Sequence, residues 1–515
     1  MPFENATTYV NYLKKGNVAE FDRLYDEAVK ESEKYFGKEY TNTVSEKNSK
    51  NTIKPVSPID GKTYASFQAA SKEDVEAAII KLKKGQKDWF RLGYIKRAEI
   101  ILKAADLVSE QRFLISAILA RENGKNRLEA MADVDEGIDF LRYYALNLIE
   151  NQGFVRFTGK GYENEESVSY MKPYGIFAVI APFNFYAITV GMVAGPLVTG
   201  NAVILKPSSN IPLSSYLYVK AMYQAGVPEN ALVYMAGQGS EVGPVLSSHK
   251  DIAGILFTGS RDSGMSIYRN ALKDKPKVVI TEMGGKDAII VSAKANMDKA
   301  VNGVYRAAFG YSGQKCSACS IAYVESKVYD TFVEKIKKIT DQLKLGDPRK
   351  AESYMGPVIN RDAFENYKKY VEIAKKEGKI ISGGSTEERD GFYARPTIVV
   401  DLKEDSFIVK NELFLPILAI VKVKDLDHAI SLVNASDYGL TGGIFTEDRA
   451  EIEKYFNEAD VGVIYANRER GGSTGAMVGS QPFVGWKMSG VSGKGTGSFY
   501  YLQQFLREQS QTIAH

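Results

Sequence analysis

At 515 residues the chain is too long for one hydrophobic core and predicts two or three domains. Its 44% apolar and 25% charged residues are those of a globular protein, and 66 basic against 63 acidic side chains leave no electrostatic footprint for nucleic acid. Two cysteines, Cys316 and Cys319, exclude a disulfide framework; the three histidines lie away from every chemistry-bearing phrase and exclude Ser-His-Asp catalysis.

The start, MPFENATTYV, lacks the basic-then-apolar run of a secretory signal, so the expected compartment is the cytoplasm. Helical spacing covers Val18 to Tyr35, and the stretch SEKNSKNTIKPVSPIDGKTYASF reads as linker and edge hairpin. From Ser71 to Asn151 apolar residues recur every three or four positions in three phrases, and Gly124 predicts the end of the second helix. The run from Pro173 to Leu205 carries no charge and is long enough to span a bilayer. Its three prolines, four glycines and two asparagines divide it instead into strand GIFAVIA, a helix and strand NAVILK, so no membrane span is expected. From Val168 to Val291 strands and helices alternate, which predicts βαβ units and a parallel sheet. A second α/β pattern follows from Asp298 to Val463, then a Gly/Ser-rich stretch from Gly471 to Gly497 and a short element at YLQQFL.

The first strand is not followed by GxGxxG. Gly237-Gln-Gly239-Ser-Glu-Val-Gly243 and Phe257-Thr-Gly259-Ser260 each close a strand and open a helix, where backbone N–H groups receive a pyrophosphate. Alone, each is equally a tight turn. Cys316 lies in Gly-Tyr-Ser-Gly-Gln-Lys-Cys-Ser-Ala-Cys, 34 residues beyond Glu282-Met-Gly-Gly-Lys286. A thiol in a Gly-rich segment and a carboxylate before a Gly-Gly turn suit covalent catalysis followed by water activation. Cys316 and Cys319 also form a CxxC, but no second ligand pair completes a metal site.

Seven phrases occur in order: PFNFY (182–186), LKPSS (205–209), FTGS (257–260), EMGGK (282–286), GQKCSA (313–318), NELFLP (411–416) and QPFVGWKMSG (481–490). Their order and spacing resemble the aldehyde dehydrogenase superfamily from about residue 50 onward. The resemblance implies an α/β fold, with a Rossmann-like cofactor domain, an α/β catalytic domain and a small β oligomerisation element. It implies Cys316 as nucleophile, Glu282 as general base and Asn184 as oxyanion donor. A reactive thiol of this kind is expected to titrate below the free-thiol value of about 8.5.

For NAD or NADP the resemblance implies a site of Ile180, Ala181, Pro182, Phe183, Lys206, Ser209, Gly239, Gly243, Phe257, Gly259, Ser260, Gly284, Glu412 and Phe414. Ser209 stands where many members carry an acid that repels a 2′-phosphate, which opens the site to NADP. The phrases SerThrGly475Ala476, CysSerAlaCysSer, EGIDFLRYYA and YYLQQFL look like the branch that oxidises glutamate γ-semialdehyde. Ser317, Gly475 and Ala476 would then hold the substrate's α-carboxylate. Another semialdehyde or a sugar-derived aldehyde, or a silent binding protein on the same fold, are the alternatives. The implied domains are 1–150, the helical part of the cofactor domain; 151–170, an oligomerisation hairpin; 171–292, Rossmann-like; 293–470, catalytic; and 471–515, anchor loop and tail. A homo-oligomer is implied, with a small aldehyde as ligand and no metal, nucleic acid or membrane. The chain departs from the family at Phe183, Tyr186, Leu415 and Val484, and Tyr186 and Leu415 are expected to reshape the substrate tunnel or nicotinamide pocket.

Overall fold

Apolar runs closed by glycine or proline form the central strands of two sheets. The computed structural model describes residues 3–44, 51–273, 275–469 and 477–515. The chain opens with helices α1 (Thr8–Lys14) and α2 (Val18–Ser32). Three short strands, β1 (Glu39–Tyr40), β2 (Thr52–Ile53) and β3 (Ser66–Gln68), follow as a small sheet. Ser71 and Asp74 close a capping box on α3 (Lys72–Arg91). The next helical phrase is two helices, not one: α4 (Tyr94–Glu110) and α5 (Arg112–Asn123) meet at Gln111, whose φ −96 and ψ 10 leave the helical region. Gly124 ends α5 at φ +80, the left-handed conformation that glycine adopts without a Cβ penalty. Asn126 then caps α6 (Arg127–Glu150).

Strands β4 (Val155–Gly159) and β5 (Glu165–Pro173) form a hairpin that the C-terminal strand completes as an antiparallel sheet. The charge-free run is folded as its punctuation predicts: β6 (Ile176–Ile180), α7 (Tyr186–Val198) and β7 (Ala202–Lys206), with both strands wholly buried. Among the described residues no helix is long and apolar enough to cross a membrane. After α8 (Pro212–Ala225) come β8 (Leu232–Tyr234), α9 (Gly239–Ser248), β9 (Gly254–Gly259), α10 (Arg261–Ala271) and β10 (Val278–Met283). The five strands pair in parallel in the order β10-β9-β6-β7-β8, the doubly wound arrangement of a nucleotide-binding sheet.

Strand β11 (Asp287–Val291) does not join that sheet. It starts four residues beyond β10 and pairs in parallel with β12 (Cys319–Glu325), inside the second sheet. The chain therefore changes sheets at Gly284–Lys286, ahead of the boundary expected at residue 292. The second sheet continues with β13 (Lys379–Ser382), β14 (Thr397–Val400), β15 (Ile417–Val423), β17 (Thr441–Phe445) and β18 (Val463–Ala466), in the order β13-β14-β15-β12-β11-β17-β18. A two-stranded pair, β16 (Tyr438–Gly439) with β19 (Trp486–Lys487), lies beside it. The tail closes as β20 (Leu506–Ala514) against β5, so the hairpin sheet reaches Pro173 rather than ending at 170.

Candidate active site

The thiol loop follows α11 (Met297–Phe309) and is held from several sides. Tyr311 and Ser312 adopt φ +49 and +54, a conformation that non-glycine residues keep only where neighbours impose it. Ser312 Oγ donates to the Gly356 carbonyl at 2.6 Å, and Gln314 Oε1 accepts the Ile359 N–H at 2.7 Å. Lys315 pairs with Glu129 at 2.7 Å, and the Tyr311 N–H donates to the same carboxylate at 2.9 Å. Cys316 emerges half-buried from this frame, while Cys319 is buried at the start of β12.

Cys316, Ser317 and Glu282 line one cavity of about 880 Å³, together with Glu136, Phe140 and Phe483. Glu282 comes from the end of β10, and Oε2 has no hydrogen-bond partner. Burial pushes its carboxyl up to about 8. Asn184 lies just ahead of α7, buried, and its Nδ2 donates to the Gln314 carbonyl at 3.2 Å. The amide keeps a second N–H for another acceptor. Thiol and carboxylate thus share one cavity, and the amide, held two residues ahead of the thiol, is not among the residues that line it.

The thiol itself is a correction. Burial, then Asp287, Glu412 and Glu282, push Cys316 well above the ordinary cysteine value, opposite to the lowered value expected. The Lys315 charge ahead of it is taken up by Glu129.

At the carboxyl ends of the first sheet the expected cofactor residues gather. Ile180, at the end of β6, and the following Ala181 and Pro182 are buried, and Phe183 sets its ring edge to Phe414 at 5.8 Å. Lys206 ends β7; its buried Nζ donates to the Pro207 carbonyl at 3.0 Å, and burial lowers it to about 8. Half-buried Ser209 follows. Gly239 opens α9 beside Lys206, where a Cβ would lie 3.9 Å from Nζ, and a Cβ on Gly243 would meet nothing within 4 Å. Phe257 and Gly259 end β9, and Ser260 caps α10 through the Ser263 N–H at 3.4 Å. A Cβ on Gly284 would run into the Glu412 carboxylate, which accepts the Gly285 N–H at 2.9 Å. Burial raises Glu412 to about 7. A buried ammonium with one acceptor, open glycines at the start of α9 and a carboxylate at a Gly-Gly turn fit the ribose and phosphate groups of a dinucleotide, while the Phe257 ring lies against Gly259 at the turn into α10.

Of the expected substrate residues, Ser317 is buried in the cavity wall. Gly475 and Ala476 lie outside the described residues. Of the two departures expected to reshape the substrate tunnel or the nicotinamide pocket, neither lines the cavity of Cys316. Tyr186 packs against Gly137 of α6 and edge-on to Tyr218 at 6.2 Å; Leu415 is buried among the apolar residues of the second sheet, where Gly313 leaves room for its carbonyl.

Sequence reasoning passed over Glu136. It lies in the phrase EGIDFLRYYA, lines the cavity, and is pushed up to about 8 by burial and then by Asp133. The signal was available: Asp133, Glu136 and Asp139 recur every third residue on a helix whose neighbours are apolar. Asp133 was also missed. It accepts the N–H groups of Tyr186 at 3.0 Å and Ala187 at 2.8 Å, capping α7 from α6, and pairs with buried Lys125 at 2.6 Å.

A doubly wound sheet beside a cleft that holds a thiol and a buried carboxylate, with an amide anchored two residues ahead of the thiol, defines a nicotinamide-dependent oxidoreductase. The chain belongs to the aldehyde dehydrogenase family, whose model matches residues 44–510. It is similar to the 1-pyrroline-5-carboxylate dehydrogenase of Geobacillus sp. (strain WCH70), 38% identical over 501 residues and 96% of each chain. The enzyme of the same name from Staphylococcus aureus (strain MW2) is 40% identical over 94% of this chain and 95% of its own. The crystal structure of 1-pyrroline-5-carboxylate dehydrogenase from Thermus with bound NAD superposes with a TM-score of 0.94 at 34% identity, covering 100% of this chain and 99% of that one.

Proposed function

We infer that the chain oxidises L-glutamate γ-semialdehyde, the open form of 1-pyrroline-5-carboxylate, to L-glutamate with NAD or NADP, a reaction of proline catabolism. The observation that carries the substrate is Glu136. A carboxylate in the same cavity as the candidate nucleophile suits an α-ammonium, whose charge would offset what burial does to it. Ser317, with Gly475 and Ala476, takes the α-carboxylate in this reading.

The chemistry runs through Cys316. Its thiol is held protonated, so the proton leaves to solvent as the sulfur attacks the aldehyde carbon. A C–S bond forms and the aldehyde oxygen becomes anionic. The free N–H of Asn184 and the backbone N–H of Cys316 stabilise that oxyanion. NAD(P), when bound, supplies the hydride acceptor, and Lys206, Gly284, Glu412 and the α9 and α10 turns would hold it. Loss of hydride leaves a thioester on Cys316. Glu282, in its ionised form, takes a proton from water; the hydroxide adds to the thioester carbon and the thiolate leaves.

The three-stranded sheet of β4, β5 and β20 exposes Phe157 and Ile513, and Tyr162 stands exposed in its hairpin. Such apolar exposure supports a homo-oligomer that covers it. The test of the substrate is kcat/KM for glutamate γ-semialdehyde against pentanal. Charge-assisted bonds at both ends of the amino acid predict a preference of roughly two to four orders of magnitude. Glu136→Gln should shrink it by roughly ten- to a hundredfold and leave pentanal nearly unchanged. Equal efficiencies in the wild type would leave the family chemistry without this substrate.

A further inference from the structure

The arm formed by residues 3–14 precedes the stretch that the family model spans, yet Asn5 and Ala6 line the same cavity as Cys316. Two carboxylates one turn apart on α6 hold the arm down. Asp139 accepts the Ala6 N–H at 2.8 Å on Oδ1 and 3.0 Å on Oδ2, and accepts Asn5 Nδ2 at 3.1 Å. Asp135 accepts the Thr8 N–H at 2.7 Å and the Thr8 hydroxyl at 2.8 Å. Asn5 then does something the other arm residues do not. The same Nδ2 donates to the Val478 carbonyl at 3.0 Å, so both of its hydrogens are used, one on each side of the cavity. Phe3 supports this bridge: it packs edge-on to Tyr143 of α6 at 5.2 Å, and a Cβ on Gly479 would lie 3.2 Å from its ring.

Met477 and Val478 line the cavity on one side, and Glu136 lies one turn from Asp139 on the other. We propose that Asn5 is a positioning residue that ties Val478 to Asp139. It thereby fixes the spacing of the two walls that receive the amino-acid end of the substrate, without touching the chemistry at Cys316. In its kinetic consequence this rests on the substrate reading above; in its structural consequence it does not.

Asn5→Ala tests it in the intact protein, with two readouts. The first is kinetic: KM for glutamate γ-semialdehyde should rise about tenfold, the equivalent of about 1.4 kcal/mol, with kcat and the efficiency on pentanal nearly unchanged. The second is amide hydrogen exchange, which should speed up by about tenfold at Met477, Gly479 and Gln481, whose N–H groups bond within and beside this turn. Ala6→Pro, which removes the N–H that Asp139 accepts, should move both readouts in the same direction. Unchanged exchange in both variants would overturn the proposal. So would equal losses on both substrates with a lowered melting temperature, which would make the arm a general brace. If the wild type shows no preference for the semialdehyde, the substrate reading alone falls, and the exchange rates still decide the role of Asn5.

Discussion

Replacing Glu282 by Gln should separate two consequences of one buried carboxylate. The side chain is 8% exposed, Oε2 has no partner, and burial raises it from 4.5 to about 8. A raised carboxyl binds more protons folded than unfolded between those values, so its contribution to stability falls as pH rises through that window. At pH 7 the folded chain retains a proton that the unfolded chain has released, at a cost of about 3 kcal/mol. The amide variant never incurs that cost. Its melting temperature should match the wild type near pH 4.5 and exceed it increasingly toward pH 8. A chain of this length gives up about 1 °C per kcal/mol, so the gap at pH 7 should be ~3 °C. The other raised carboxyls are common to both proteins and cancel in the difference.

The same change removes the base for thioester hydrolysis. A stopped-flow trace of Glu282→Gln should show a burst of reduced cofactor and then a steady state slower than wild type by about 10²- to 10⁴-fold. In the wild type, hydrolysis should rise through about pH 8 as Glu282 ionises. Wild-type steady-state turnover in the variant, or a melting difference independent of pH, would refute the assignment.

Cys316→Ala should abolish aldehyde oxidation and leave cofactor binding intact by calorimetry, whereas Cys319→Ala should stay active with a small loss of melting temperature, since its buried thiol packs at the start of β12 and donates to the Ile321 carbonyl at 3.1 Å. Wild-type NADP turnover should be measurable, and Ser209→Glu should lower kcat/KM for NADP by at least about tenfold while sparing NAD, because a carboxylate there repels the 2′-phosphate; no NADP reaction at millimolar concentration in the wild type would assign the exclusion elsewhere.

The parts of the site that sequence made legible are those that local chemistry dictates. Gly-Gly beside Glu282, glycines around Cys316 and the broken apolar run at Asn184 announce turns, and turns at strand ends are where such groups gather. What stayed hidden depends on pairing across the fold. A reactive thiol was expected to titrate low, but Lys315 next to it is paired with Glu129 while residues 282, 287 and 412 bring carboxylates to Cys316. Glu136 reads as surface charge until α6 is laid along the cavity. The break at Gln111 is invisible to periodicity, because apolar residues continue on both sides of it: a stripe along α4 and a nearly continuous buried run along α5. Strand β11 follows β10 so closely that only its partner β12 reveals a second sheet.

That crossing from β10 to β11 accounts for the phrase EMGGK more fully than any single role does. Glu282 and Met283 still pair with β9, and Asp287 already pairs with β12, so Gly284–Lys286 must carry the chain between sheets. The passage is narrow on both sides. A side chain at 284 would displace Glu412, and one at 285 would lie 2.5 Å from the Cys316 carbonyl oxygen. The same turn gives Glu412 its hydrogen bond through the Gly285 N–H, and Ser489 Oγ closes it from outside by donating to the Gly284 carbonyl at 2.8 Å. The candidate base, the candidate ribose carboxylate and the candidate nucleophile are therefore placed relative to one another by a single unbranched stretch of backbone. Two glycines are needed there because the chemistry requires those three groups to converge where the two sheets meet, leaving no volume for a fourth side chain.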